Sequence, residues 1–267
     1  MNILLFEIAL LFYFLSTVGY IVSLLIRKVL LARISTWILF SAFFIHSIYI
    51  IFRWVETGYG PVANTYESLS FVAWSISGVY LIFQVRTKTR VLGVFVSPLA
   101  FILAIGASAM LVGDVSIPQM PETLKSSWVK VHIMLTLTGE ALFALAFLAG
   151  LMYLLQDRLI RKKNVHSFST MLPSLRDLDR INHISILWGF FLLTFGIIAG
   201  STWARIVWGC RWQWDPKQIS TLVAWLICAL LVHQRVAIGW KGRKAAFLSI
   251  IAFVFSCSLL SVLMSFL

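Results

Sequence analysis

A short segment between two apolar stretches carries the residues best suited to binding a ligand. Its sequence over residues 203–214, WARIVWGCRWQW, contains four of the chain's 11 Trp. The candidate binding residues of this Trp-rich segment are Trp203, Trp208, Gly209, Arg211, Trp212, Trp214, Asp215 and Pro216. Indole rings this close together offer a flat apolar surface to a large planar molecule, and a cation beside them suits a ring with acidic side groups. Trp also gathers at membrane interfaces, but an interfacial belt spreads its Trp over many helices.

Three of the five His residues are candidate ligands for a metal or a heme iron. His132 lies at the entrance of the fifth apolar stretch, and a neutral imidazole there supplies the axial nitrogen that heme iron favours. Its alternative is an interfacial histidine bonded to a carbonyl. His233 ends the seventh stretch, where it either ligates or caps the last carbonyls of a helix. His46 lies in the second stretch, where it either ligates or bonds to a neighbouring helix.

Two carboxylates, Glu7 and Glu140, fall within apolar stretches, where ionisable groups are costly and often functional. Glu140 follows His132 at a spacing that leaves it about 80° round a helix and two turns deeper, so direct contact is not expected. We expect Glu140 to be protonated or paired with another helix. Cys210 is the one Cys of three outside the apolar stretches, and no Cys-x-x-Cys occurs, which excludes a thiol-disulfide exchange site and a Cys-based zinc site.

The composition requires membrane helices to position these groups. The 267 residues are 60% hydrophobic and 12% charged, whereas a soluble domain is about half apolar and a quarter charged. A span needs roughly 20 apolar residues and must satisfy its own backbone hydrogen bonds. Eight such stretches occur, near residues 3–25, 34–52, 68–83, 91–112, 129–155, 184–203, 219–234 and 245–266. The sequence predicts an all-α integral membrane protein of about eight transmembrane helices, forming one domain over residues 1–267 with an external loop over residues 204–218.

The distribution of Lys and Arg predicts the orientation of these helices. Most of the 22 cations fall in alternate loops, and such loops stay on the cytoplasmic side. Both termini and the Trp-rich segment are therefore expected on the outer side. The net charge of +12 then reflects topology and contact with anionic membrane lipids, so it does not indicate a nucleic-acid partner. The first stretch lacks a cleavage site and is interpreted as a retained signal anchor.

Several motifs of the chain resemble one family. The run WGCRWQWDPK over residues 208–217 resembles the WGxxWxWDP signature of the heme-handling proteins of cytochrome c assembly, the CcsA, ResC and CcmC group. Further similar elements are NTYES at residues 64–68, the segment Gly189 to Gly200, LVHQR at residues 231–235 and GWKGRK at residues 239–244. Among the subgroups, the chain is most similar to CcsA and ResC, which belong to system II.

The resemblance implies a heme-binding membrane subunit of a holocytochrome c synthase, or heme lyase. Such a subunit receives heme b, holds it at the outer face on the Trp-rich loop, and presents it for thioether attachment to the Cys-x-x-Cys-His of an apocytochrome c. By the same resemblance, His132 is the first external axial ligand and His233 serves an inner heme site. A CcsB- or ResB-like membrane protein is the implied partner, in the bacterial inner membrane or, for a plastid-encoded chain, the thylakoid.

One departure from the family pattern leaves the sixth position of the iron unassigned. The second external histidine of the family usually follows the last helix, where this chain has no His. Met264 or His46, the partner, the substrate's own histidine or a shortened sequence would each explain this. HemX-like relatives, which resemble regulators of heme metabolism and attach no heme, are the alternative function. A small-molecule permease ranks last, because Pro98 is the only Pro within the predicted spans.

Overall fold

The computed structural model describes residues 2–58, 64–87, 90–110, 126–162 and 172–265, and this part of the chain is helical without a strand. The helices are α1 (Asn2–Ile26), α2 (Val29–Thr57), α3 (Thr65–Thr87), α4 (Gly93–Met110), α5 (Ser127–Arg161), α6 (Leu175–Trp208), α7 (Pro216–Val236) and α8 (Arg243–Ser265). A 3-10 turn at Arg90–Leu92 leads into α4. The expected all-α class is confirmed.

Seven of these helices, α1 to α7, are long and apolar enough to cross a membrane. The multi-pass membrane character expected from the composition is therefore confirmed for the part of the chain that the structure describes. Helix α8 has 23 residues and is not among those seven. The number of eight spans and the outward position of both termini stay predictions.

Helix α6 is longer than the apolar pattern predicted, because its end signals lie outside the apolar core. Ser174 begins it by accepting a hydrogen bond from the backbone N–H of Asp177 at 3.1 Å. Gly209 ends it in the left-handed conformation, with φ of 75° and its N–H on the carbonyl of Arg205. Side-chain capping and a left-handed glycine are common helix ends. The predicted range 184–203 was too short, since helical hydrogen bonding continues past the edges of the apolar stretch.

The chain divides into two compact units, of which the first contains α1 to α4. Hydrogen bonds between buried polar side chains join its helices. The hydroxyls of Thr17 and Ser97 lie 3.0 Å apart between α1 and α4, and those of Tyr20 and Tyr80 lie 3.1 Å apart between α1 and α3. Such bonds satisfy polar groups that would be costly to leave unpaired in an apolar interior.

The second unit contains α5 to α8, and its helices α5 and α6 approach closely. A Cβ added to Gly139 would lie 3.1 Å from the carbonyl oxygen of Gly189, and one added to Gly189 would lie 3.2 Å from that of Gly139. Small residues allow this approach between membrane helices. Asn182 adds polar contacts, because its amide nitrogen donates to the carbonyl of Ala146 and to the hydroxyl of Ser249, both at 2.8 Å.

A largely buried ion pair connects helices of the second unit near the start of α6. The guanidinium of Arg235 on α7 donates from Nη1 to Oδ1 of Asp179 at 2.9 Å and from Nη2 to the backbone oxygen of Asp179 at 2.7 Å. Its Nε donates to Nδ1 of His183 at 3.2 Å. The backbone N–H of Gly242, before α8, reaches the same carboxylate at 2.7 Å. One arginine thus connects α6, α7 and the start of α8.

Removing Arg235 should destabilise the second unit strongly. The Arg235 side chain is 4% exposed, so Arg235→Ala leaves the Asp179 carboxylate without its cation, a loss that typically costs about 3–5 kcal/mol. The matched control is Arg161→Ala, because Arg161 pairs with Asp157 while 65% exposed, and such pairs contribute about 0.3–0.5 kcal/mol. Thermal unfolding of the purified protein in detergent measures both. Equal shifts for the two variants would contradict a structural role for the buried pair.

Candidate functional site

The Trp-rich segment is partly helical, which corrects the expected loop over residues 204–218. Helix α6 continues to Trp208, and α7 begins at Pro216, so the loop itself covers residues 209–215. Trp203 and Trp208 both belong to α6, and their rings meet edge to face with centroids 5.0 Å apart. Arg205 occupies the last turn of the helix between them. Two of the four indoles are therefore positioned by helix geometry instead of by a loop.

The loop is braced where α7 begins. Oδ1 of Asp215 accepts from the backbone N–H of Gln218 at 2.7 Å, and Pro216 occupies the first turn, where the N–H it lacks has no helical partner. The side chain of Gln218 returns to accept from the N–H of Gln213 at 2.7 Å. The Asp-Pro pair of the motif therefore fixes the start of α7. Oδ1 of the aspartate acts as a helix cap.

The loop also presents two further indoles. The rings of Trp212 and Trp214 are 5.8 Å apart at 77° to each other. Trp214 is 76% exposed and Trp208 is 44% exposed, while Arg211 beside them is exposed too. The indole N–H of Trp212 is buried and has no hydrogen-bond partner among the described residues. The exposed part of this surface offers apolar rings and a cation together, which suits a planar ligand that carries carboxylates.

His132 lies on α5 and contacts α6. Its Nδ1 is 2.7 Å from the carbonyl oxygen of Gly196. A carbonyl oxygen can only accept, so the proton of the neutral ring is on Nδ1 and the lone pair is on Nε2. No hydrogen bond to Nε2 occurs within the described residues, in a side chain that is half-buried. The alternative of a carbonyl-bonded histidine is thus observed together with a nitrogen that remains available to a metal.

Helix α6 connects His132 to the indoles. Gly200 lies directly under the imidazole, since a Cβ added there would be 2.7 Å from Nδ1 of His132. Trp203 follows Gly200 by about one helical turn, and Trp208 lies about 12 Å beyond Gly200 along the axis, at a rise of 1.5 Å per residue. The imidazole and the first pair of indoles therefore depend on the same stretch of α6. Neither Gly196 nor Gly200 was singled out from sequence, because their role depends on a contact between distant segments.

His46 belongs to the first unit and is fully buried. The hydroxyl of Tyr13 lies 3.2 Å from its Nδ1, and the hydroxyl of Ser70 lies 2.8 Å from its Nε2. Both ring nitrogens are engaged, so ligation would require breaking one of these bonds. The arrangement matches the alternative of a histidine bonded to neighbouring helices.

His233 is exposed on α7. Its backbone oxygen accepts the N–H of Ala237 at 2.9 Å, but no hydrogen bond of its ring occurs within the described residues. The expected alternative, a ring that caps the last carbonyls, is therefore not seen there. The imidazole points away from the buried side of its helix and is accessible to a group outside the unit.

Glu140 pairs with another helix, as expected. Its Oε1 accepts from the hydroxyl of Ser256 on α8, and the carboxyl is buried. In the part of the chain that the structure describes, no three His, Cys, Asp or Glu side chains gather as they would around a bare metal ion. A single imidazole such as His132 instead matches an iron whose other ligands come from a macrocycle. Among the other candidates, Glu7 is exposed on α1, while the side chain of Met264 lies outside the described residues.

The NTYES element has a structural role in the first unit. Oδ1 of Asn64 accepts the backbone N–H of Glu67 at 2.8 Å, which begins α3. The Glu67 carboxylate is 2.9 Å from Nε of Arg53 on α2, and the hydroxyls of Tyr66 and Tyr49 are hydrogen-bonded to each other. The element therefore fastens α2 to α3 through buried polar contacts.

The cap at Asp215 should depend on an oxygen acceptor and not on charge. Asp215→Ala removes the acceptor and should cost about 0.5–2 kcal/mol, whereas Asp215→Asn keeps it and should cost much less. Thermal unfolding, with tryptophan fluorescence as the signal, compares the two variants. A loss with Asn as large as with Ala would show that the charge of Asp215, and not its capping bond, is what the loop requires.

Comparison with known proteins identifies the family of the chain. The model of the family described as cytochrome C assembly protein matches residues 62–266. The cytochrome c biogenesis protein CcsA of Microcystis aeruginosa is 34% identical over 248 residues, which cover 76% of this chain and 75% of that protein. The protein of the same name from Guillardia theta is 33% identical over 223 residues, covering 76% of this chain and 72% of that protein.

A solved structure shares the fold. Cytochrome c heme lyase CcmF matches with a TM-score of 0.65 over 95% of this chain, at 14% sequence identity. The chain spans 45% of the length of that heme lyase. At this identity the likeness concerns the arrangement of helices alone.

Proposed function

The chain belongs to the cytochrome c assembly protein family and is a membrane protein of cytochrome c biogenesis, and we propose that it is the heme-binding subunit of a cytochrome c synthase. In this proposal it holds heme b at the outer face for thioether attachment to the Cys-x-x-Cys-His of an apocytochrome c. The names of the relatives favour this role over HemX-like regulation of heme metabolism.

The geometry of His132 carries the proposal. Its Nδ1–H donates to a backbone carbonyl, so Nε2 is the nitrogen that carries the lone pair a metal would bind. Helix α6, which accepts that bond at Gly196, also carries Trp203 about two turns and Trp208 about three turns further on. An axial nitrogen beside a wide aromatic surface matches the needs of heme, in which one imidazole binds the iron and apolar groups cover the macrocycle.

The remaining residues of the Trp-rich segment fit the edge of the same molecule. The exposed rings of Trp208 and Trp214 provide apolar contact. The exposed guanidinium of Arg211 would donate to propionate carboxylates. Gly209 and the Asp215–Pro216 pair set the two ends of the loop that carries them. The segment thus binds by shape and charge together.

Bound heme supplies the vinyl groups across which each cysteine S–H of the apocytochrome adds, so that one C–S bond and one C–H bond form per vinyl group. His132 would hold the iron, and the exposed indoles of Trp208 and Trp214 would contact the ring. No residue of this chain is assigned to proton transfer in the addition.

Two further groups complete the proposal. The accessible imidazole of His233 would serve an inner heme site. Ligation of the outer iron by His46 would require breaking one of its two hydrogen bonds, so a CcsB- or ResB-like partner or the substrate's own histidine would supply the sixth ligand more readily than His46. The predicted setting is the bacterial inner membrane, or the thylakoid in plastids, with the Trp-rich segment on the outer side.

Removing the imidazole at position 132 should remove most of the bound heme. Protein purified from heme-sufficient cells, alone or with its partner, should show a b-type spectrum that fades strongly in His132→Ala. The control is Thr138→Ala, which removes on the same helix only a hydroxyl bonded to its own helix, at the carbonyl of Met134. Heme content per protein, from the pyridine hemochrome spectrum, measures the effect. Unchanged heme in His132→Ala would exclude this residue as a ligand.

Removing single indoles should weaken heme binding without unfolding the protein. Trp208→Ala and Trp214→Ala should each lower heme affinity about twofold to tenfold, from the 0.5–1.5 kcal/mol that an aromatic contact adds. Trp188→Ala is the control, because Trp188 is also on α6 and 60% exposed but lies far from the segment. Hemin titration and heme staining of co-expressed cytochrome c provide the readouts. Wild-type results for both segment variants would reduce the indoles to an interfacial belt.

A further inference from the structure

We propose that Gly196 and Gly200 of α6 act as positioning residues for the heme ligand His132. The carbonyl of Gly196 holds Nδ1, the missing side chain of Gly200 makes room for the ring, and Nε2 is thereby presented to the iron. This inference rests on the proposed function and deepens it, because it names the residues that select the ligating nitrogen.

The two glycines form one recess on the face of α6 that contacts α5. They are four positions apart, so they lie one above the other on the helix. A Cβ added to Gly200 would lie 2.7 Å from Nδ1 of His132 and 3.0 Å from Cε1. A Cβ added to Gly196 would lie 2.6 Å from Cγ2 of Thr136, one turn from the histidine. Any larger residue would push the imidazole away from the carbonyl that it contacts.

The bond to Gly196 determines the chemistry of the ring. A histidine that ligates a metal usually donates its other N–H to a carboxylate or carbonyl, which fixes the tautomer and increases the basicity of the ligating nitrogen. The contact of His132 has this form at 2.7 Å. Its acceptor is a backbone oxygen, so no single side chain on α6 provides it. Every residue type has a backbone carbonyl, so a substitution on α6 leaves the acceptor in place. A substitution acts on this contact by filling the recess beside the imidazole.

Helix packing alone does not account for this recess. At Gly139 and Gly189, which belong to the same pair of helices, backbone meets backbone and no polar side chain enters. At Gly200 the helices instead enclose an imidazole that keeps one nitrogen unbonded within the described residues. The neighbouring turn carries Trp203, whose ring meets Trp208. The recess and Trp203 therefore belong to consecutive turns of α6.

The first test replaces the side chain with small ligands. In His132→Gly, imidazole and 4-methylimidazole keep an N–H for the Gly196 carbonyl, whereas 1-methylimidazole binds a metal but cannot donate. We expect the first two to restore hemin binding, and 1-methylimidazole to do so about 10- to 100-fold less effectively, the usual effect of losing such a second contact. Equal rescue by all three overturns the inference. Failure of all three in a variant with an unchanged unfolding temperature also overturns it.

The second test fills the recess in the full-length protein. Gly200→Ala should lower hemin affinity about 10- to 100-fold and should shift the Soret band and reduction potential of the remaining heme. Gly106→Ala is the control, since its Cβ on α4 would meet only the end of the Leu69 side chain, at 3.1 Å, and no residue of α5 or α6. It should leave both spectroscopic values unchanged. An unshifted spectrum in Gly200→Ala, or equal shifts in both variants, would overturn the positioning role.

The His132→Ala variant separates this inference from the proposed function. If His132→Ala retains its heme, the assignment of His132 as the ligand fails, and the positioning role fails with it. If His132→Ala loses heme while Gly200→Ala keeps a wild-type spectrum and potential, only the positioning role fails. The two results are read from the same set of purified proteins.

Discussion

The close approach of α5 and α6 is the physical constraint on which the site depends. Glycines at the contact allow the backbones to meet, and only at that distance can the imidazole of His132 reach the carbonyl of Gly196. With a wider spacing, the ring would turn toward another acceptor, and the tautomer would no longer be set by the protein. Helix packing, usually considered a matter of stability, here determines which nitrogen is available.

Polar contacts between helices of the second unit occur in layers along its length. Near one end are the imidazole and the indoles, followed by the Glu140–Ser256 bond and the contacts of Asn182, and finally the pair of Arg235 and Asp179. Each layer joins at least two helices. Because an unpaired polar group in an apolar interior costs several kcal/mol, the layers also restrict how the helices can slide against one another.

The sequence could indicate the class of the fold and the family, since apolar runs and the WGxxWxWDP motif are local features. It could not indicate where α6 ends, because the cap at Gly209 lies inside the Trp-rich segment and the apolar run ends earlier. It left two roles open for His132, a metal ligand or an interfacial histidine bonded to a carbonyl. The structure shows the carbonyl bond at Nδ1 and no hydrogen bond at Nε2 within the described residues. That bond joins residues 64 positions apart, and contacts at such separations leave no local pattern in the chain.

Continuity of α6 from Leu175 to Trp208 has a mechanical consequence. The carbonyl that accepts from His132 and the two helical indoles belong to one continuous helix, so a tilt of α6 displaces that carbonyl and those rings together. Because the imidazole itself is on α5, a shift of α5 against α6 is the movement that changes the position of His132 relative to the indoles.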